Sequence, residues 1–274
     1  MQNNQVKTPP VVLTIAGVDP SGGAGIYADV KTFSRFGCYA AAAITSITFQ
    51  NTTGVFGAIH QTAEILRRQI EPILNDFNVL AVKTGMLPTR EIIEETARII
   101  TEFKLKNIVV DPVIRSTSGF DVIDEEALRA LIEQLFPLSE IITPNLPEAE
   151  RIVKFNIESD NDFEKAAKIM FDYGAKNVLI KGGHRSIAVS NENKIARDIL
   201  FDENGNYTNF EAAWIDTNST HGTGCVLSSA IAANLARGEN LIDSIKRAKT
   251  FVNDAIKTAP ILGNGHSPIN LLDF

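Results

Sequence analysis

Apolar residues along this chain follow two alternating rhythms. Short runs rich in β-branched residues, Val11–Ala16, Ala43–Phe49, Val79–Lys83, Asn107–Asp111, Glu140–Thr143 and Asn177–Lys181, read as strands. Most carry apolar residues in succession, as strands covered on both faces do. Between them, apolar positions recur every three or four residues. Ile26, Val30 and Phe33 share one helical face, as do Leu66, Ile70, Ile73 and Phe77, with Pro72 placed to kink that helix. Ile92, Ile93, Thr96, Ile99, Ile100 and Phe103 make another stripe, Ala127, Leu128, Leu131 and Leu135 the next, and Phe163, Ala166, Ala167 and Met170 the one after.

This alternation predicts an α/β fold, a mostly parallel central sheet with helices on both faces. After Lys181 the pattern changes. Ile195–Phe201, a turn at Asp202–Gly205 and Tyr207–Ile215 read as a small antiparallel meander at the sheet edge. Helices at about 224–236 and 241–258 finish the chain. With no repeat, low-complexity run or linker, residues 1–274 are expected to form one domain.

Composition narrows the function classes. The chain has 274 residues, 26 Lys plus Arg and 33 Asp plus Glu, for a net charge of −7. That balance argues against a nucleic-acid or anionic-membrane surface. Met1–Pro10 is polar and ends in Pro-Pro, unlike a signal peptide, and no apolar run is long enough to span a bilayer. A cytoplasmic protein with reduced thiols is expected, its two cysteines being Cys38 and Cys225. The four histidines show no paired spacing, so no zinc site is expected.

Ligands of open α/β sheets bind beyond the carboxyl ends of the strands. The unusual polar residues of this chain fall there. Gly17–Gly25 follows the first strand, Gln50-Asn51 the second and Lys83–Met86 the third. Asp111-Pro112 closes the fourth, Pro144-Asn145 follows the fifth and Lys181–Gly183 closes the sixth. His221-Gly-Thr-Gly-Cys225 then opens the apolar stretch Val226–Ala236, with Thr220 available as a cap. A helix start offers unpaired N–H groups and partial positive charge, which suit a phosphate and favour a thiolate. The plainer reading is a Gly-rich turn before a core helix with a buried cysteine.

The other motifs carry similar pairs of readings. Gly17 and Gly22 have P-loop spacing, but Gly23 stands where lysine is needed. Gly23-Ala-Gly25-Ile-Tyr-Ala28 matches the dinucleotide fingerprint but lacks the acidic residue about 20 positions on, which argues against a dehydrogenase. Asp19 could cap the glycine turn. Asn145 and Glu148 could organise Mg²⁺ or form a helix-capping box. Lys181 could meet a phosphate or snorkel at a strand end, and Asp111 could hold a site or start a turn.

Taken together, these segments resemble the ribokinase-like superfamily, and within it the hydroxymethylpyrimidine and phosphomethylpyrimidine kinases of thiamine biosynthesis. The resemblance rests on Ala16–Gly25, Asp29–Phe33, Gln50–Gly54, Lys83–Met86, Asp111–Val113, Thr143–Ala149, Lys181–His184 and His221–Cys225, with Gly263–Asn270 echoing the family's end. It implies an ATP- and Mg²⁺-dependent phosphotransferase for 4-amino-5-hydroxymethyl-2-methylpyrimidine and its monophosphate, and a homodimer. Cys225 would be the general base and Lys181 would neutralise phosphate charge. Gly222, Thr223 and Gly224 would form the anion hole. Asp111, Asn145 and Glu148 would organise Mg²⁺ and the triphosphate, with Asp111 and Glu148 toward the metal. Asp19 and Gln50 would read the aminopyrimidine edge, with Gly17 and Met86 lining its pocket. Two positions depart from the family pattern: Tyr27, where Gln is expected, and Ile114–Thr117, where Arg115 adds a cation. Pyridoxal or pyridoxine kinase and a non-catalytic pyrimidine-binding sensor are the rival readings.

Overall fold

The computed structural model describes residues 8–115, 119, 121–182, 187–188 and 194–272. Its strands are β1 (Val11–Val18), β2 (Tyr39–Asn51), β3 (Gly54–His60), β4 (Val79–Thr84), β5 (Ile108–Val110), β6 (Ile141–Ile142), β7 (Asn177–Lys181), β8 (Ile187–Ala188), β9 (Lys194–Asp202) and β10 (Tyr207–Ala213). The helices are α1 (Gly25–Arg35), α2 (Ala63–Asp76), α3 (Arg90–Glu102), α4 (Glu125–Ala130), α5 (Leu146–Val153), α6 (Asp160–Asp172), α7 (Thr223–Ala236) and α8 (Leu241–Lys257). The strands form one sheet in the order β10-β9-β7-β6-β5-β4-β1-β2-β3, with β8 paired to β9. Strands β2, β1, β4, β5, β6 and β7 run parallel, and β9, β10 and β3 are antiparallel additions at the two edges.

The expected parallel strands and edge meander are present. One antiparallel edge strand, β3, lay outside the expectation because Gly54–His60 shows no clean alternation. It pairs with an extension of β2 that runs to Asn51.

The period of two sorts the core. Leu13, Val82, Val110, Ile142 and Ile180 join α2 to α6 on one side of the sheet. Their chain neighbours Val12, Ala81, Val109, Ile141 and Leu179 join α1, α7 and α8 on the other. Adjacent residues of a strand point to opposite faces, so five consecutive apolar pairs serve two cores at once. Helix α7 is buried along Val226–Ala236, which explains why it is apolar all round. Pro72 lies inside α2, and the stripe Ala127–Leu135 bends from α4 into a wider turn over Leu131–Leu135. Among the described residues no helix is long and apolar enough to cross a membrane.

The chain leaves β1 toward β2 on one side and returns to β4 on the other. That reversal opens a crevice beyond the carboxyl ends of β1 and β4.

Candidate active site

A cleft of about 830 Å³ occupies this crevice. Every site residue named from the sequence lines it: Gly17, Asp19, Gln50 and Met86; Asp111, Asn145, Glu148 and Lys181; and Gly222, Thr223, Gly224 and Cys225, whose helix start meets the first group through the His221–Asp19 bond and the second where Gly224 lies beside Lys181.

The β1 loop forms the first wall. Asp19 Oδ1 accepts from the Ser21 N–H at 2.9 Å and the Ser21 hydroxyl at 2.7 Å, and Oδ2 accepts from the Ala24 N–H at 2.9 Å. Asp19 therefore caps the glycine turn while facing the cleft. Its Oδ2 also lies 2.7 Å from His221 Nε2. Burial pushes this carboxyl up, but the His221 and Ser21 bonds outweigh burial and hold it below its ordinary range. Gln50 Oε1 accepts from the Thr48 hydroxyl at 3.1 Å, and its Nε2 lies 3.4 Å from His221 Nε2. A β-carbon on Gly17 would meet Met86 Sδ at 3.0 Å, so the two residues close the floor together.

The α7 start forms the centre. Gly222 has φ +84°, and a β-carbon there would sit 1.9 Å from the Gly23 carbonyl oxygen. Only glycine permits this backbone-on-backbone contact. Thr220 does not cap α7 with its side chain. Its carbonyl accepts from the Thr223 N–H and hydroxyl instead, because the left-handed Gly222 takes the N-cap position. Cys225 follows on the first turn, half-buried. Burial pushes the thiol up to about 11, against the pull of Lys83. The helix-start field thus does not by itself produce a thiolate.

The far end is charged and buried. Lys181 Nζ donates to Asp111 Oδ1 at 2.9 Å, and the Thr143 hydroxyl donates to the same oxygen at 3.0 Å. Ser228, one turn beyond Gly224, approaches Asp111 Oδ2 at 3.3 Å. Burial raises the Asp111 acid, but Lys181 and Lys83 outweigh it and hold the carboxyl low. Asn145 and Glu148 form a complete capping box on α5. Both Glu148 oxygens accept backbone N–H groups, from Asn145 at 2.8 Å and Ile114 at 3.4 Å. Burial, with the Asp111 charge adding to it, still drives Glu148 up to about 8. The cap reading is correct, and the carboxyl also faces the cleft.

Sequence reading missed a deeper layer. Lys83 and Asp29 are fully buried, and Lys83 Nζ donates to both Asp29 oxygens at 2.9 Å. Thr14 and Ser229 donate to the same carboxylate at 2.6 and 2.7 Å. Each residue was legible only singly, Lys83 interrupting an apolar strand and Asp29 sitting on the apolar face of α1 with Ile26 and Phe33, and nothing in the sequence paired them. Tyr27 points outward, 49% exposed, and Arg115 pairs with Asp121 at 2.8 Å. Ser116, Thr117, Gly183 and His184 lie outside the described residues.

The sequence profile of the phosphomethylpyrimidine kinase family matches residues 19–270. The chain belongs to that family. The hydroxymethylpyrimidine/phosphomethylpyrimidine kinase of Bacillus subtilis is 41% identical over 262 residues, which cover 96% of this chain and 94% of that protein. The thiamine biosynthesis bifunctional protein of Geobacter sulfurreducens is 42% identical over 94% of this chain, which spans only 51% of that longer protein. Among solved structures, an ADP complex of Bacillus subtilis pyridoxal kinase superposes with a TM-score of 0.84 at 38% identity, covering 96% of this chain and 97% of the other.

Within the family frame the two ends of the cleft have distinct chemistry. The β1 side carries an amide, a carboxylate and an imidazole. The β5–β7 side carries a lysine and two carboxylates. The protein is a kinase, and Cys225 lines the same cleft.

Proposed function

We propose that this kinase transfers a phosphoryl group from ATP to the hydroxymethyl oxygen of 4-amino-5-hydroxymethyl-2-methylpyrimidine, and then a second to the resulting monophosphate, in the cytoplasm as a step of thiamine biosynthesis. The observation that supports the reading is that Cys225 lines one cleft with Asp19 and Gln50 and with Asp111, Glu148 and Lys181.

In the first transfer, the Cys225 thiolate takes the hydroxyl proton as the substrate oxygen bonds to the γ-phosphorus of ATP, and the bond from that phosphorus to the β-phosphate oxygen breaks to release ADP. In the second, the substrate's own phosphate is the acceptor. In this reading Lys181 and the Gly222-Thr223-Gly224 turn would meet the charge that spreads over the transferred phosphoryl, and catalysis of this kind rests on positioning and charge stabilisation. Asp111 and Glu148 present hard oxygen donors, and a buried carboxyl driven up to about 8 is one that a cation would relieve. This donor set fits Mg²⁺, which keeps several waters and needs only one or two protein carboxylates besides phosphate. The ion would neutralise triphosphate charge. The apolar residues Ala212, Ala213, Val252 and Ile256 line the wing beside β10 and α8 and suit a nucleotide base. A homodimer is part of this reading. The apolar side chains Phe49, Phe56 and Ile59, exposed on the β2–β3 edge, support it.

A second reading, pyridoxal phosphorylation, is favoured by the likeness to the pyridoxal kinase structure. ADP release measured with the pyrimidine, its monophosphate, pyridoxine and pyridoxal tests both. Turnover of the first two is expected. Turnover confined to the pyridoxine compounds would overturn the main reading, and no substrate-dependent ADP release would leave a binding sensor.

A further inference from the structure

One turn touches three segments that carry residues of the cleft. After α8 the chain folds into the turn Leu262–Ser267. Ser267 Oγ closes it, donating to the Leu262 carbonyl at 2.9 Å and accepting the Leu262 N–H at 3.0 Å. On one side the turn meets the β2–β3 connection. The His266 N–H donates to the Thr52 carbonyl at 2.8 Å, and the Gly265 N–H to Thr52 Oγ1 at 3.3 Å. On the other side it meets the residues before α7, where the His221 N–H donates to the Ser267 carbonyl at 3.2 Å. Pro268 follows against the β1 loop: a β-carbon on Gly23 would meet Pro268 Cβ at 3.0 Å and overlap the His221 ring.

Ile269 and Leu271 anchor this part of the chain, buried in the core shared by α1, α7 and α8. The turn before them packs backbone on backbone instead. A β-carbon on Gly265 would overlap the Thr52 carbonyl oxygen and meet Thr53 Cα at 2.7 Å. Gly265 and Ser267 do not line the cleft, but the residues beside their contacts do. Gln50 stands two positions before Thr52. Ala24, whose N–H binds Asp19, follows Gly23, and His221 binds Asp19 Oδ2. The sheet does not set the spacing of Asp19 and Gln50. The last β1–β2 pair is Val18 with Ile47, so both residues lie beyond it. Past that pair the two sides are joined by the Thr48 bond to the Val18 carbonyl, by His221 and by this turn.

We propose that the turn Leu262–Ser267 is a positioning element for the acceptor substrate: by holding Thr52, His221 and the Gly23 loop against one another, it sets the spacing of Asp19 and Gln50. A flat ring that bonds two side chains needs both at one separation, and groups held there in advance bind without further ordering. Gly265 and Ser267 act on the ring only through the residues they hold. The inference rests on the reading that Asp19 and Gln50 bind the pyrimidine.

Gly265→Ala in the full chain is the test, with two readouts. The His221 ring resonance of ligand-free protein, identified by its loss in His221→Gln, reports the clamp itself. It should move in Gly265→Ala, whatever that side of the cleft binds. Calorimetric titration reads the consequence. Binding of 4-amino-5-hydroxymethyl-2-methylpyrimidine should weaken about 10-fold, the effect of losing one well-aligned hydrogen bond. Binding of a non-hydrolysable ATP analogue should stay at the wild-type value. A turn that only steadies the fold predicts a lower melting temperature with both affinities unchanged. That result overturns the inference, as does an unmoved His221 signal or an equal loss for both ligands. If Gly265→Ala does not fold, Ser267→Ala decides by the same criteria, because it opens the turn at Leu262 and keeps the Ser267 carbonyl. Gln50→Leu resolves a moved His221 signal with unchanged pyrimidine binding. If that variant binds the pyrimidine more weakly, the positioning role fails. If it too binds normally, the assignment of the pyrimidine to Asp19 and Gln50 fails.

Discussion

Asp19 and His221 bind each other across 202 residues of chain, Oδ2 to Nε2 at 2.7 Å, and both are buried. The contact joins the β1 loop to the residue that precedes the Gly222 N-cap of α7. Asp19 spends its remaining lone pairs on the Ser21 and Ala24 amides, so it shapes the loop as well as facing the cleft.

Asp19 is held below its ordinary range, so the unfolded chain binds its proton more readily than the folded one. Its contribution to stability is present above the unfolded carboxyl value, about pH 4, and is lost as pH falls through the lower folded value. The melting temperature of wild type should therefore drop more steeply between pH 5 and 2.5 than that of Asp19→Asn. Parallel acid limbs by circular dichroism would show that the bond to His221 carries no linkage.

Cys225→Ala should bind the pyrimidine and nearly abolish turnover, because removal of a general base costs about 10²–10⁴ in rate. A carboxylate at this place is also a proton acceptor, so Cys225→Asp should retain part of the activity. Since burial holds the native thiol up at about 11, the wild-type rate should rise with pH across the neutral range. A kcat for the alanine variant near that of wild type would remove cysteine from the mechanism.

Glu148 behaves in the opposite sense to Asp19. Burial raises its folded pKa to about 8, so the folded protein holds this proton more tightly than the unfolded chain. The stability this supplies is complete below about pH 4.3 and disappears as pH rises through 8. Ligand-free wild type should lose melting temperature between pH 6 and 9, whereas Glu148→Gln should not, and the variant should need more Mg²⁺ for half-maximal rate. Identical Mg²⁺ dependence with only a lowered melting temperature would reduce Glu148 to its helix-capping role.

Much of this was legible from residue order because the strands are short, apolar and separated by strong helical stripes. Asn177–Lys181 begins and ends where its pattern does. The site residues were legible because chemistry in such sheets collects at one edge, and each polar residue found there follows a strand. What was not legible depends on contacts between distant segments. Gly54–His60 becomes a strand only because β2 extends far enough to pair with it. Thr220 loses the cap position to Gly222 because the Gly23 carbonyl presses against that backbone. Asp29 and Lys83 are 54 residues apart, and nothing local marks them as partners. Burial of Cys225 also reverses the local argument from the helix start, since desolvation outweighs the partial charge of one turn.

Gly222→Ala tests the packing of the α7 start. Its φ of +84° is unfavourable for any residue with a β-carbon, and the Gly23 carbonyl leaves that atom no space. The strained backbone alone costs about 1–3 kcal/mol, and relieving the clash must move either the β1 loop or the start of α7. Both stability and kcat should fall, measured by urea unfolding and ADP release. Native stability with native rate would mean that the turn re-forms without loss.

The last prediction separates pyrimidine from pyridoxine chemistry and rests on Gln50. The Thr48 hydroxyl shares its one proton between the Val18 carbonyl oxygen at 2.9 Å and Gln50 Oε1 at 3.1 Å, and Gln50 lines the cleft. A carboxamide presents a donor beside an acceptor, the complement of a ring amine next to a ring nitrogen. Pyridoxine carries a phenolic hydroxyl and a methyl group instead of that edge and cannot match both. A site built to hydrogen-bond rejects ligands that leave its groups unpaired. Gln50→Leu should therefore cost the aminopyrimidine about 1–3 kcal/mol of binding and pyridoxine much less, read by calorimetric titration of each ligand. Gln50 also neighbours His221 at 3.4 Å, so a role confined to holding that imidazole would weaken both ligands together. Equal losses would remove Gln50 as the pyrimidine reader.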